Sequence, residues 1–405
     1  MNLKTDIEKT KVISPTLILI ILTLAATGAT ICMNKVSPIM PVLMKDLKIG
    51  AAQGGLLISV FSVIGAFFAI PGGIIVQKFG TRKSGIISLM ALIVGSLVGT
   101  YTTSFTPLLV TRIIEGVGMA LLSICGPVVI SMTFSPEKRG GAMGIFTTYA
   151  MIGQLVMLFI APPLAGNYGW KGVWWFATIY AIVFLIAWVI VIQGEDKSVH
   201  THEYEEKEIK FNENTISSGS VFKNKSVWFL TISLFLLIVS LGSVAFFLPT
   251  YLNLVRGMNI TSASAIVGIS TIVGIPCGMI GGILSDKIGS RRLFWVILTM
   301  INAIVFGIIP LVPTNKIVFV IICIGLFSGT GIPAIFAAVT EVLDDLRMAG
   351  LAMGLLSSGQ NLGFTIGAAG FGIMVQSIGW NTAFYTLIPI TILSGIFMIF
   401  NKRVR

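Results

Sequence analysis

Twelve stretches of this chain run for about twenty residues or more with little or no charge: 14–43, 50–76, 84–103, 107–133, 141–164, 172–193, 226–252, 261–284, 293–313, 317–341, 349–375 and 382–401. A helix of about 20 apolar residues crosses the ~30 Å hydrocarbon core of a bilayer. Only 11% of the 405 residues are charged, against about a quarter in soluble domains. No soluble core of this length would hide so much apolar surface. The pattern predicts an all-α membrane protein of twelve transmembrane helices, with lipid as the main solvent. The first run follows a short basic lead, but it is too long for a secretory signal core of about 7–15 residues, and it reads as the first span.

The basic residues decide orientation. With the N-terminus in the cytoplasm, the inner segments hold twenty Lys and Arg, while the outer segments hold five: Lys45, Lys48, Lys171, Arg256 and Lys316. That asymmetry places both termini in the cytoplasm of a plasma-membrane protein. The net charge of +11 is scattered between apolar runs, so it predicts no nucleic-acid partner. Cys32, Cys125, Cys277 and Cys323 all lie in apolar runs without a C-x-x-C pair and read as reduced core residues. His200 and His202 sit in a polar segment with no ligand-spaced partners. No metal or cofactor is expected, and no feature calls for a second copy of the chain.

The polar segment 194–225 carries seven of the sixteen acidic residues and divides the spans six and six. The expected organisation is an N-terminal bundle over 1–193, a linker over 194–225 and a C-terminal bundle over 226–405. The two bundles repeat. Pro41 pairs with Pro249, Gly73 with Gly282, Gly140 with Gly350 and Gly169-Trp170 with Gly379-Trp380, all at offsets of 208–210. Self-similar halves of this kind mark secondary transporters.

The repeat also places two similar loops between the second and third spans of each half: GGIIVQKFGTRK at 72–83 and GGILSDKIGSRR at 281–292. Gly73, Gln77, Gly80 and Arg82 in the first, and Gly282, Asp286, Gly289, Arg291 and Arg292 in the second, are the candidate gating residues. A glycine there lets a neighbouring helix approach. The basic residues face the anionic inner leaflet. Asp286 sits unfavourably at the end of its own helix and gains by pointing at the N-terminus of another, which would latch the halves together in one state.

G-x-x-x-D-K-x-G-x-R-R from Gly282 to Arg292 resembles the signature loop of the major facilitator superfamily. The N-terminal copy departs from it at Gln77. Arg112-x-x-x-Gly116-x-Gly118 resembles that family's fourth-span motif. Gly144, Gly153, Pro162 and Gly166 partly resemble the fifth-span motif of its antiporters, with Met157 and Ala161 where glycines belong. Within the family, SPIMP, EGVG and GWKGVWW resemble the cyanate-permease and nitroimidazole-permease branch. The nitrate–nitrite exchangers are similar too, but they carry arginines in spans two and eight, and 50–76 and 261–284 contain none. The resemblance implies two helical bundles around a central cavity that opens to each side in turn.

Charges inside lipid are costly and face a cavity or a partner. Lys35 lies in span 1, and Arg112 and Glu115 share a face of span 4. Arg112 and Glu115 read either as a self-contained structural pair or as cavity groups, and Lys35 either as a snorkelling side chain or as a cavity group. If all three face the cavity, they leave one excess positive charge for a small anion to balance. Arg112 would then offer a planar fork and Lys35 a point charge, with Glu115 carrying a coupling proton. Tyr149, Gln360 and Asn361 are the further candidate substrate contacts. Phe246, Phe247 and Tyr251 read as packing. The function expected is proton-coupled transport of a small anion. The alternative is proton-driven efflux of amphipathic drugs on the same fold. No nucleophile, H-E-x-x-H or strand-borne nucleotide loop supports an enzyme.

Overall fold

The computed structural model describes residues 14–192, 219–343 and 348–404, and every regular element among them is a helix. The N-terminal lead, both histidines, most of the 194–225 segment and Arg347 lie outside these residues.

Ten helical segments are long and apolar enough to cross a membrane. One of them, Lys138–Val191, has 54 residues and would span about 80 Å if straight, more than two bilayer cores. It doubles back at Gly169 (φ 68°, ψ 176°) and makes two crossings. Helix Ala69–Tyr101 turns in the same way at Gly80 (φ 74°, ψ 167°), so the helix that begins at Ala51 ends span 2 there and span 3 starts. Gly379, repeat mate of Gly169, has φ 80° and ψ 168°. Both copies therefore use one backbone conformation that a side chain would strain.

Twelve crossings result. Span 1 is Pro15–Asn34, continued by the turn Ser37–Ile39 and helix Met40–Leu47. Span 4 is Phe105–Thr133. Span 5 is Pro136–Thr147 followed by 149–168, and span 6 is 170–191. The second half runs Lys225–Leu254, Ile260–Ile288, Arg291–Ile308, Ile317–Ala337, Ala349–Ile378 and Trp380–Phe400 as spans 7 to 12. An even number of crossings puts both ends of the chain on one face, here the terminal side. The opposite face is the far side.

Packing follows the rules for lipid. Exposed Ile179, Val183, Ile186 and Ile190 recur at helical spacing along span 6 and face outward, as a lipid-facing stripe does. Between helices, small residues bring backbones together. A Cβ added at Gly329 of span 10 would lie 2.8 Å from the carbonyl oxygen of Gly274 on span 8. The approach expected at Gly73 occurs one residue earlier: a Cβ at Gly72 would lie 2.9 Å from Ile124 of span 4, whereas one at Gly73 meets nothing within 4 Å. One residue is 100° of helix, enough to turn Gly73 toward open space. In the second copy Gly281 likewise abuts Thr330 of span 10, its added Cβ lying 2.6 Å from the Thr330 Cα.

The halves touch on the far side. There Ser37 Oγ donates to the Phe246 carbonyl at 2.7 Å, Ser264 Oγ to the Pro38 carbonyl at 3.4 Å, and the Ala52 amide to Gln376 Oε1 at 3.4 Å. Gly55 packs on Ala368, Gly372 on Ala51 and Gly268 on Phe159. Toward the terminal side, side chains added at Gly140, Gly144 or Gly354 would meet nothing within 4 Å. The bundle is sealed on the far face and open toward the termini.

Candidate functional site

The helix of span 1 stops at Asn34, and Lys35 is its C-cap residue. Pro38 and Pro41 follow, and each lacks the N–H that would continue the helical ladder. A helix end leaves its last carbonyls without intrahelical donors. Arg112 of span 4 supplies donors to two of them, Nη1 to the Cys32 carbonyl at 2.6 Å and Nη2 to the Met33 carbonyl at 3.2 Å. Its Nε donates to the Leu57 carbonyl of span 2 at 3.0 Å. The guanidinium also lies 4.6 Å from the centre of the Phe61 ring. One planar cation thus fixes spans 1, 2 and 4 against one another.

Glu115 bridges two cations. Oε1 accepts from Lys35 Nζ at 2.5 Å and from Ser96 Oγ at 2.7 Å, and Oε2 accepts from Arg112 Nη1 at 2.5 Å. Lys35 also donates to Ser96 Oγ at 3.0 Å and stands 4.3 Å over the ring of Trp174 in span 6. Gly95 makes room for the carboxylate, since a Cβ there would lie 2.5 Å from the Glu115 Cγ. The Lys35, Arg112 and Glu115 side chains are all 0% exposed. With all three ionised, the cluster holds one excess positive charge. Attraction at this range in a low-dielectric site offsets much of the desolvation cost, and breaking such a pair from one side costs about 3–5 kcal/mol.

This geometry decides between alternatives that the sequence leaves open for Lys35, Arg112 and Glu115, and it closes the fork expected of Arg112. Lys35 does not snorkel: it turns into the N-terminal half. Arg112 and Glu115 are not a closed pair, because Lys35 completes the set. Arg112 offers no open fork to a substrate in this conformation, because protein oxygens take its Nε and both terminal nitrogens. Its place here is that of a positioning residue. Ser96 and Trp174 escaped the sequence reading. Spacing alone does not place a serine on span 3 and a tryptophan on span 6 beside a lysine on span 1.

The remaining candidates lie apart from this cluster. Tyr149 is half-buried, its carbonyl accepts from Thr30 Oγ1 at 3.0 Å, and its ring packs on Phe146. Gln360 is half-buried and Asn361 exposed on span 11. Gln360 precedes Phe364 and Ala368 on one helical stripe. Phe364 meets Phe246, and the Ala368 backbone meets Gly55 of the other half. Ala368 thus marks where span 11 meets the other half, and Gln360 lies about two turns from it toward the terminal side. Phe246, Phe247 and Tyr251 are buried among Phe364, Phe371, Trp380 and Phe384.

The loops at the terminal side are engaged within their own halves. Asp286 Oδ1 accepts from Arg291 Nη2 at 2.6 Å, and Arg291 Nη1 donates to Glu341 Oε1 at 2.6 Å. The Asp286 side chain is 62% exposed, and the latch expected of it is not formed here, on the face that stands open. Gly289 has φ 72° and caps span 8. Arg82 donates to the Val189 carbonyl of span 6 at 3.0 Å, Gln77 is exposed and Arg292 half-buried. Gly282 is within span 8, and its surroundings fall outside the described side chains.

A sequence model of the Major Facilitator Superfamily matches residues 18–345 and, in a second match, 314–405. The chain is 25% identical over 336 residues to a probable nitrate transporter of Staphylococcus haemolyticus (strain JCSC1435), covering 81% of each chain. It is 24% identical over 349 residues to the hexuronate transporter of Bacillus subtilis (strain 168), covering 84% of this chain and 83% of the other. Among solved structures, a D-xylose–proton symporter shares the fold with a TM-score of 0.77 at 16% identity, over 96% of this chain and 98% of that one. A bacterial homologue of the human lysosomal transporter Spinster, inward-facing and occupied, shares it with a TM-score of 0.73 at 16% identity, over 95% of each chain.

Proposed function

Because the chain belongs to the major facilitator superfamily and is a membrane transporter rather than an enzyme, we propose that it moves a small monoanion together with a proton by alternating access. The termini lie in the cytoplasm of a plasma-membrane protein in this reading, so the structure is of the inward-open form. The two bundles, 1–193 and 226–405, rock about the cavity between them.

The observation that carries the reading is the fully buried cluster of Lys35, Glu115 and Arg112, with one positive charge in excess. An uncompensated buried charge is costly. A monoanion entering the cavity offsets it across the low-dielectric interior. Protonating Glu115 leaves both cations without their shared partner and raises the excess to two. An anion is then held more firmly, and by linkage the anion also favours the proton. Anion and proton therefore enter together, with no net charge added by the pair. Lys35 is the cation that acts on the substrate, Glu115 carries the proton, and Arg112 holds the break in span 1. Tyr149, Gln360 and Asn361 supply uncharged donors and acceptors to the rest of the solute, and the loops around Gln77 and Asp286 close the terminal side in the opposite state.

Two relatives named for anions, nitrate and hexuronate, support this class. The absence of arginine from 50–76 and 261–284 favours an organic monoanion, or an ion of cyanate type, over nitrate itself. A thermal-shift screen of the purified protein tests the reading, using the sodium salts of acetate, cyanate, nitrate and glucuronate at acidic and neutral pH. A ligand at a hundred times its Kd stabilises by about 2.7 kcal/mol. At least one anion raises the melting temperature, more so at acidic pH, and Lys35→Met abolishes the response. Stabilisation by a lipophilic cationic dye and by none of the anions would overturn the proposal in favour of drug efflux.

A further inference from the structure

The far-side seal has a chemistry of its own. Every hydrogen bond described there between the halves is neutral. Two run from a serine hydroxyl to a backbone carbonyl, and one from a backbone amide to a carboxamide. Among the described residues no ion pair joins the halves on that face. The described pairs lie in the Lys35 cluster or in the loops of the terminal side.

Of the three bonds, the one from Ser37 is the shortest, at 2.7 Å, and it is buried. Ser37 is 4% exposed and Phe246 is 5% exposed. The two residues are 209 positions apart, one more than the 208 that relates nearby Pro41 to Pro249, so Ser37 bonds to the residue next to its own counterpart, Ala245. The bond ties the same stretch of the two repeats together across the seam. Alanine has no hydroxyl to return it, so one hydroxyl serves both halves. Ser37 is the second residue after Lys35, in the turn that follows the break of span 1, so the break delivers it to the seam.

We propose that the Ser37 hydroxyl, bonded across the seam between the halves to the Phe246 carbonyl, is the latch that holds the far side shut. Ser264 and Gln376 are its weaker auxiliaries at 3.4 Å each. The latch acts on whatever solute is carried, so it stands apart from the anion reading. Its strength does not depend on ionic strength, because salt screens charges and leaves a buried neutral bond untouched.

The test uses the full-length protein reconstituted in liposomes of known orientation. Ser357→Cys places a reporter on the span 11 stripe of Gln360 and Phe364, below the seal. A membrane-impermeant maleimide is offered from the far side only, with the protein lacking this reporter as the blank for the four native cysteines. Labelling then reports far-side opening. Ser37→Ala raises the labelling rate about fivefold, the factor that corresponds to one net hydrogen bond. Ser37→Thr keeps the hydroxyl and stays near the parent rate. Ser264→Ala gives a smaller rise. The ratios hold from low to high sodium chloride. Equal rates for parent, Ser37→Ala and Ser264→Ala would overturn the proposal, as would a Ser37→Ala effect that vanishes at high salt. Ser264→Ala keeps the test decisive should Ser37→Ala fail to fold, because it weakens the same seam through the neighbouring Pro38 carbonyl.

Discussion

Replacing Glu115 by Gln keeps the side chain's shape and removes the charge that Lys35 and Arg112 share. Both cations lie 2.5 Å from its carboxylate and all three side chains are 0% exposed. Removing one partner of a buried ion pair costs about 3–5 kcal/mol, because it leaves a charge without compensation. Here one substitution strands two. The Ser96 hydroxyl, the Trp174 face and the carbonyls of Cys32, Met33 and Leu57 still solvate them, which keeps the loss near that range rather than doubling it. For a unit of 150–250 residues each kcal/mol moves the melting temperature by roughly 2–4 °C, so the fall is on the order of 6–20 °C. Tryptophan fluorescence melts of the purified protein measure it. Adding Lys35→Met to Glu115→Gln removes one stranded cation and restores much of the loss, since replacing buried ionic groups by apolar ones is often neutral or stabilising. A Glu115→Gln variant that melts with the parent, or a double variant that melts below the single one, would mean that the carboxylate does not bridge the two cations.

Three other outcomes follow from the same geometry. Arg112→Lys keeps the charge but its ammonium cannot reach the carbonyls of spans 1 and 2 together, so at least one buried acceptor is orphaned at a cost of about 1–3 kcal/mol; a melt of the variant beside Arg112→Gln separates lost geometry from lost charge. Gly329→Leu drives a side chain into the Gly274 backbone, where even a Cβ would be 2.8 Å from the carbonyl oxygen, and it lowers the yield of monodisperse protein on size exclusion far more than Gly354→Leu, which faces open space. Asp286→Asn impairs transport more than Gln77→Ala, since only the second loop has an acid to lose, and equal rates in a substrate-uptake assay would remove that asymmetry.

The readings that held concern properties written along the chain. Lipid imposes a length on every crossing, so runs such as 226–252 announce spans without reference to any neighbour. Gly169 and Gly379 were visible as repeat mates and both prove to be left-handed turns, because a backbone constraint acts on the residue itself. Failures came where a side chain's direction mattered. Gly72 rather than Gly73 meets span 4, a difference of one residue that composition does not register. The place of Lys35 in its apolar run allowed either a snorkelling or an inward-facing side chain, and only the fold turns it inward to Glu115.

Amino-acid order alone thus determined the solvent, the number of crossings, the duplication and the family, since each depends on hydrophobic length or on local backbone freedom. Tertiary structure decided which charges share one site and which face is shut. Lys35 meets a serine 61 positions away and a carboxylate 80 positions away, and Ser37 meets a carbonyl of the other half 209 positions away. Such meetings depend on how helices rotate and pack against one another, which is a property of the assembled bundle and of no single span.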